Sequence, residues 1–352
     1  MSRRRTPRSK GRLRVLMLID AEFMPPEDIA DLPEEQQLEA PWKTEYDVYA
    51  TLSNIGHEVL PLGLTDDLAP IRKAIDEFKP HICFNLLEGF RDYHVFDQHM
   101  VSYLELIDQR YTGCNPRGLM LARDKALSKK ILAYHRIRVP AFHVFPRNGR
   151  FARPKRLEFP LLVKSVNVEG SVGISQSSVV WNDHHLRERV QYIHDALGTA
   201  AIAEQFIEGR EIYVGVLGNQ RLMTFPAWEM IFQHPPAGVA LIATDKAKFD
   251  PNFQKRWGIT TQKARDLPPD VEENIPHLAK RIYRTLSLTG YARLDFRLTE
   301  AGEMYLLEAN PNPQIGYGED FAESAEVAGL DYETLLQRIL SLGMSYRPEA
   351  LA

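Results

Sequence analysis

Cysteine is nearly absent: the 352-residue chain holds two, Cys83 and Cys114. Two cysteines make neither a disulfide framework nor a metal site. Both stand among apolar neighbours, as small core residues do, and that usage suits a reducing, cytoplasmic setting. Long apolar runs are also missing. After the basic stretch MSRRRTPRSKGR, the run Val15–Ile19 is interrupted by Asp20. It is too short for a signal-peptide core or a bilayer span and reads as a first buried strand. Charge of one sign is not in excess: the net value is −4. Nothing therefore draws the chain as a whole to nucleic acid or membrane. The basic run Arg3–Arg12 is a local exception, read as a solvated, disordered tail. Internal repeats and a Ser–His or Cys–His nucleophile signature are absent too.

The length predicts two or three lobes with ample core. RVLMLI and HICFNLL fit buried parallel strands. Between them Val48, Leu52 and Ile55 recur on one helical face, Gly56 stops the helix, and a further strand follows. Strand and helix alternate, so the first ~110 residues read as an α/β lobe with a parallel sheet. The insertion AEFMPPEDIADLPEEQQLEAPW is long and acidic, a length uncommon without function or disorder. Helices are expected at RDKALSKKILAYHRIRVP, HLRERVQYIHDAL, VEENIPHLAKRIYRTLSL and YETLLQRILSLGM. FPLLVKSV reads as a strand. AIAEQFIEGREIYVGVLGN reads as two strands joined by a Gly-containing turn. Residues 232–270, rich in proline and lysine, read as a long surface loop or flap.

YARLDFRL alternates strictly, with Arg293, Asp295 and Arg297 on one face. After the turn TEAGE, the strand MYLLEAN puts Met304, Leu306, Glu308 and Asn310 on one face. In a hairpin, Asp295, Glu308 and Asn310 would converge beside Arg293. Two carboxylates and an amide suit Mg²⁺, which takes a few protein oxygens and leaves the rest to water and phosphate. The alternation alone leaves a polar ladder on a solvated sheet face equally open. Lys164 ends an apolar strand, and its ammonium is expected to emerge at a sheet edge. The turn Gly170–Gly173 allows backbone N–H groups close to phosphate, and Lys125 stands where it could reach the same place. Phe206 and Ile207 lie between Glu204 and Glu211, a pattern open to an adenine edge and a ribose or to a surface hairpin.

Taken in order, RDKALSKKIL, FPLLVKSVNVEGSVGIS, EQFIEGREIYVGVLG, GYARLDF and YLLEANPNP…AEVAGLDYETLLQRIL resemble the ATP-grasp superfamily, in its D-alanine–D-alanine ligase-like branch. The resemblance covers roughly residues 111–342 well and the first 110 loosely. It implies an α/β fold with α+β lobes: a three-lobed ATP-grasp arrangement with an N-terminal parallel-sheet lobe and ATP held between two antiparallel sheets. The implied division is a basic tail (1–12), an N-terminal lobe (13–115), a central subdomain (116–203) and a C-terminal subdomain with the hairpin (204–352). Lys125 and Lys164 would hold ATP phosphates, with Lys248 beside them and Lys246 as its competitor. Glu169, Gly170 and Ser171 would form the covering loop. Glu204, Gln205, Phe206 and Ile207 would line adenine, and Glu211 would take the ribose. Asp295, Glu308 and Asn310 would bind two Mg²⁺ ions, with Mn²⁺ as a substitute. Arg293, Lys164 and Ser171 would act in catalysis, and a homodimer is expected.

The implied reaction joins a carboxylate to an amine through an acyl phosphate, with ADP and phosphate released. Phosphoryl transfer needs positioning and charge neutralisation more than a protein nucleophile. Departures cluster around the acceptor. Gln314 stands where glycine is usual, Glu319 near an expected serine, and Tyr317 adds bulk. A carboxylate at Glu319 would repel a substrate carboxylate. The family's glycine-rich opening, with its glutamate for the first alanine's amine, is not visible. Glu88 and Arg91 offer contacts in NLLEGFRDY. The expectation is therefore a ligase for a carboxylate and amine other than paired D-alanine, with Glu319, Asp320 and Glu323 drawing a cationic acceptor. The alternatives are a D-alanine–D-alanine ligase with a rebuilt pocket and a non-catalytic ATP-binding module.

Overall fold

Val15–Ile19 are all buried, which makes β1 (Arg14–Asp20) a strand covered on both faces. It pairs in parallel with β2 (Glu58–Leu64) and β3 (Ile82–Asn85), in the order β2-β1-β3. The crossovers run through α1 (Lys43–Asn54), which buries Val48 and Leu52, and α2 (Ala69–Phe78). Then come α3 (Asp97–Leu106) and α4 (Pro116–Arg123). The computed structural model describes residues 11–26, 29, 40–91, 93–168 and 170–348. The tail over 1–10, most of the acidic insertion and Glu169 lie outside those residues.

A single residue, Asp124, separates α4 from α5 (Lys125–Tyr134), and its carboxylate accepts from the N–H groups of Ala126 and Leu127. A four-stranded antiparallel sheet follows: β4 (Phe142–Phe145), β5 (Leu161–Ser165), β6 (Val179–Val180) and β7 (Ala201–Gln205), in the order β4-β7-β5-β6. Helix α6 (Asp183–Ala196) buries Leu186, Val190 and Ile193 against it.

The largest sheet comprises β8 (Arg210–Leu217), β9 (Met223–Thr224), β10 (Trp228–Phe232), β11 (Ile259–Lys263), β12 (Tyr291–Leu298) and β13 (Met304–Pro311). It runs β11-β10-β8-β12-β13, with β9 on β8. Helices α7 (Asp245–Phe249) and α8 (Pro251–Trp257) precede β11, and α9 (Pro269–Thr285) packs its buried face on the sheet. After α10 (Asp320–Val327), the closing α11 (Tyr332–Ser345) sends Leu335, Leu336 and Ile339 into the core beneath β1 and β3. The three sheets are the expected three-lobed arrangement, one parallel and two antiparallel. Among the described residues, no helix is long and apolar enough to cross a membrane.

Three local expectations are corrected. Residues 232–270 are not a plain loop: they hold α7, α8 and the edge strand β11. Thr244 and Asp250 cap the two short helices, which carry too few residues for a periodicity to register. β7 and β8 do not pair with each other but lie in different sheets. Gly209, between them, has φ +145° and brings its Cα so close to Leu298 that a Cβ would lie 2.1 Å from the carbonyl oxygen. Third, the β12–β13 ladder shifts between Asp295 and Phe296. This bulge sends Leu306 into the core and turns Leu307 towards the cleft.

Candidate active site

The hairpin places Arg293 opposite Asn310 and Asp295 opposite Glu308. This face is not solvated. Asp295 is buried, and Arg293 donates to its two oxygens at 2.8 and 3.1 Å. Burial pushes the Asp295 carboxyl up, against the pull of Arg293. Asn310 carries a buried side-chain nitrogen with no hydrogen-bond partner among the described residues. Two carboxylates and the amide oxygen of Asn310 on one face form an oxygen-rich set that fits a hard divalent cation. A cation at Asp295 would share or compete for the carboxylate that Arg293 grips.

Lysines close the opposite side. Lys125 opens α5, donates to the Val168 carbonyl at 2.9 Å and stands 3.7 Å from Glu308 Oε2. Lys164 stands 3.7 Å from the same oxygen and 3.5 Å from Glu204 Oε2. It does not emerge at a sheet edge: β5 lies between β7 and β6, and the lysine is buried. Burial opposes ionisation of Glu308, but Lys164, Lys125 and Lys248 outweigh it and hold the carboxyl well below the usual range. Burial, partly offset by Glu308, lowers Lys125 to about 8. Burial would lower Lys164 as well, yet Glu204 and Glu308 outweigh it and raise it.

Three cavities follow one another through shared walls. The first, about 60 Å³, lies between the antiparallel sheets and is walled by Leu162, Phe206, Ile207, Ile242 and Leu307. Gln205 and Ser171 also line it, and Lys248 and Glu308 join it to a second cavity of about 550 Å³. The second holds Arg293, Asn310, Gly170 and Glu319, and Glu88, His94 and Gln314 join it to a third of about 470 Å³ beside β1. Lys248 thus faces the cleft, whereas Lys246 is exposed. Gly170 and Ser171 have φ +66° and +63°, and the Ser171 hydroxyl donates to the Ala243 carbonyl at 2.8 Å.

Some expected residues are already engaged or point elsewhere. Glu204 lies among lysines rather than free for a base. Glu211 accepts from Arg297 at 2.8 Å and from the Tyr213 hydroxyl at 3.0 Å. Tyr317 is 60% exposed, its ring packs edge-on against Tyr332, and it lines none of the three cavities. Its backbone is what matters locally: the N–H donates to Asp47 and the carbonyl accepts from Lys43, pinning the loop after β13 to α1. Arg91 is exposed and outside these cavities.

Sequence reading missed three residues. Lys129, buried one helical turn after Lys125, stands 3.4 Å from Glu204 Oε1 and donates to the Leu307 carbonyl. Its i+4 spacing was the available signal. Arg297, two residues beyond Asp295 on the same face, lines the first cavity. Glu45, in the first turn of α1, is buried, lines the third cavity, and has an Oε2 with no partner among the described residues. An acid in a first helical turn passes as a dipole partner, which hid it.

The family described as D-ala D-ala ligase C-terminus matches residues 131–341. A D-alanine–D-alanine ligase of Syntrophotalea carbinolica is 30% identical over 84% of this chain and 88% of its own length. An uncharacterized protein, y4sG of Sinorhizobium fredii, is 28% identical over 84% of this chain and 85% of its own. The Bacillus anthracis D-alanine–D-alanine ligase, solved in complex with ATP, superposes with a TM-score of 0.73 at 21% identity, covering 94% of this chain and 97% of that one. The likeness thus extends through the N-terminal lobe as well. The chain belongs to the D-alanine–D-alanine ligase family of the ATP-grasp superfamily, whose members are ATP-dependent ligases that form carbon–nitrogen bonds.

Proposed function

We propose that the protein is a D-alanine–D-alanine ligase. The expectation of a different substrate pair is overturned by relatives of that activity at 27–31% identity, several of them matched along more than 80% of this chain. Its two physical grounds also weaken. The glutamate for the first alanine's amine has a candidate in Glu45, a buried carboxyl with an unpartnered oxygen among the described residues, facing the third cavity. The supposed repulsion at Glu319 took its carboxylate alone, but Lys43 and Arg293 act on it, and burial with neighbouring Asp320 raises it.

In this reading the adenine of ATP enters the first cavity against Phe206, Ile207 and Leu307, and its phosphates reach the second. Lys125, Lys164 and Lys248 hold its phosphates, and the turn at Gly170 and Ser171 covers them. Asp295, Glu308 and Asn310 hold Mg²⁺, which supplies positive charge to the phosphate oxygens. The first D-alanine, held through its ammonium by Glu45, receives the γ-phosphoryl group on its carboxylate. The free amine of the second attacks the acyl carbon, the bond to phosphate breaks, and the dipeptide, ADP and phosphate result. Arg293 neutralises charge on the transferring group and then on the tetrahedral oxygen. Closure excludes water from the acyl phosphate. The four-part division at 12, 115 and 203, a homodimeric state and a cytoplasmic setting complete the proposal.

The observation that carries it is the continuity of the three cavities, from lysines through the carboxylate hairpin to Glu45. The test supplies ATP, Mg²⁺ and D-alanine, reads ADP release and identifies the product by mass. D-alanyl-D-alanine is expected, with L-alanine inert. Nucleotide binding with no ADP release at saturating D-alanine would reject the proposal. Light scattering reads the dimer.

A further inference from the structure

We propose that an arginine-rimmed groove outside the cleft is a second anion site, built for a compact ligand carrying two or more phosphate groups. The groove holds about 960 Å³ and shares no lining residue with the three linked cavities. Its rim carries Arg117 from the first turn of α4, Arg221 from the turn after β8, Arg284 from the last turn of α9, Arg338 from α11, and Arg347 just beyond it. Segments far apart in sequence thus deliver cations to one place. Glu105 is the one carboxylate in the lining among the described residues, and its Oε1 already accepts from the Tyr111 hydroxyl at 2.7 Å. No ion pair engages Arg221, Arg284 or Arg338 among the described residues. The chain as a whole has a net charge of −4, so this cluster is no share of a generally basic surface. Arg221, Arg284 and Arg338, gathered with Glu105 as the one carboxylate in the lining among the described residues, repel one another, a cost that a bound anion reduces.

The frame that carries the arginines is cross-tied. Asn219 accepts from Gly290 N–H at 2.9 Å and donates to the Leu342 carbonyl at 3.1 Å. Asn115 donates to the Ser287 carbonyl at 2.7 Å, and the Tyr283 hydroxyl to the Gly218 carbonyl at 2.9 Å. The walls therefore hold their spacing without a ligand. Guanidinium forks match phosphate oxygens two at a time, and several of them around one groove call for a dense anion rather than a single carboxylate. The volume suits a ligand of about nucleotide size. A free polyphosphate and the diphosphate end of a larger metabolite share this chemistry.

The test is calorimetric titration of tripolyphosphate into the full chain, in the wild-type and Lys164→Met backgrounds. The second background weakens phosphate binding in the cleft, so the outcome does not depend on the ligase reading. In both, Arg284→Glu/Arg338→Glu is expected to weaken a binding event at least tenfold, and Arg284→Gln/Arg338→Gln severalfold. The distant pair Arg150→Glu/Arg156→Glu is expected to leave it within twofold. Pyrophosphate bound as tightly as tripolyphosphate supports an inorganic source, and tighter binding of a nucleoside diphosphate in the Lys164→Met background supports a larger one. Equal loss from the distant pair, or no loss from either groove pair, would overturn the proposal. So would an affinity that climbs steadily with oligonucleotide length, the mark of a general polyelectrolyte surface.

Discussion

Burial beside Glu88 and Asp20 raises the Glu45 carboxyl from 4.5 to about 7. Between those two values the unfolded chain has released the proton while the folded chain still holds it. Stability from this group is therefore full at low pH and falls as pH rises through the window, by about 3 kcal/mol. Glu45→Gln should flatten the melting-temperature profile between pH 5 and 7 and exceed the wild type at pH 8. Parallel profiles for the two proteins would show that burial does not govern this carboxyl. The cost has a use in the proposed reaction: an ionised, poorly solvated carboxylate is a strong partner for a substrate ammonium. KM for D-alanine should fall as pH rises through about 7 in the wild type and lose that dependence in Glu45→Gln. At the other end of the cavities, this reading needs no negative charge at Glu319. Glu319→Gln should keep kcat/KM within about fivefold of the wild type at neutral pH, because the amide is neutral. A loss of a thousandfold, read by ADP release, would mean that the charged form is needed.

Between elements, the decisive device is a set of buried polar ties. Lys129 on α5 meets Glu204 on β7 and the Leu307 carbonyl on β13, and so joins a helix to both antiparallel sheets. The carbonyl is available because the bulge at Leu307 breaks the ladder there. Lys129→Met should destabilise the fold by on the order of 3 kcal/mol in chemical denaturation, since it leaves buried Glu204 with Lys164 as its one cation among the described residues and removes the donor to the Leu307 carbonyl. Lys129→Arg, which keeps the charge, should cost less. Long periodic helices and the Asp295–Glu308 hairpin were legible in the sequence, because side-chain alternation and helical spacing are local properties. The bulge was not, because nothing in YLLEAN marks which residue is extra. Nor was the separation of β7 from β8, where a Gly turn of hairpin type in fact carries the chain from one sheet to another. α7 and α8 escaped because caps, not periodicity, define helices of that length.

For the molecule as a whole, the cleft between the antiparallel sheets is the part that a ligand should stabilise. A hydrolysis-resistant ATP analogue with Mg²⁺ at a hundred times its Kd should add about 2.7 kcal/mol, read as a rise in Tm. Lys164→Met should remove most of that rise, while an unchanged rise would place the nucleotide elsewhere. By itself, the order of motifs along the chain determined the fold family, the hairpin that carries Asp295, Glu308 and Asn310, and the lysines facing it. These depend on spacing within one or two elements. Tertiary structure decided what those groups experience. It set Lys164 inside rather than at an edge, matched Arg297 to Glu211, raised Glu319 by burial, and brought Glu45 from a first helical turn to a cavity beside β1. Burial and cross-element neighbours set the charge of a side chain, and no window of sequence contains either.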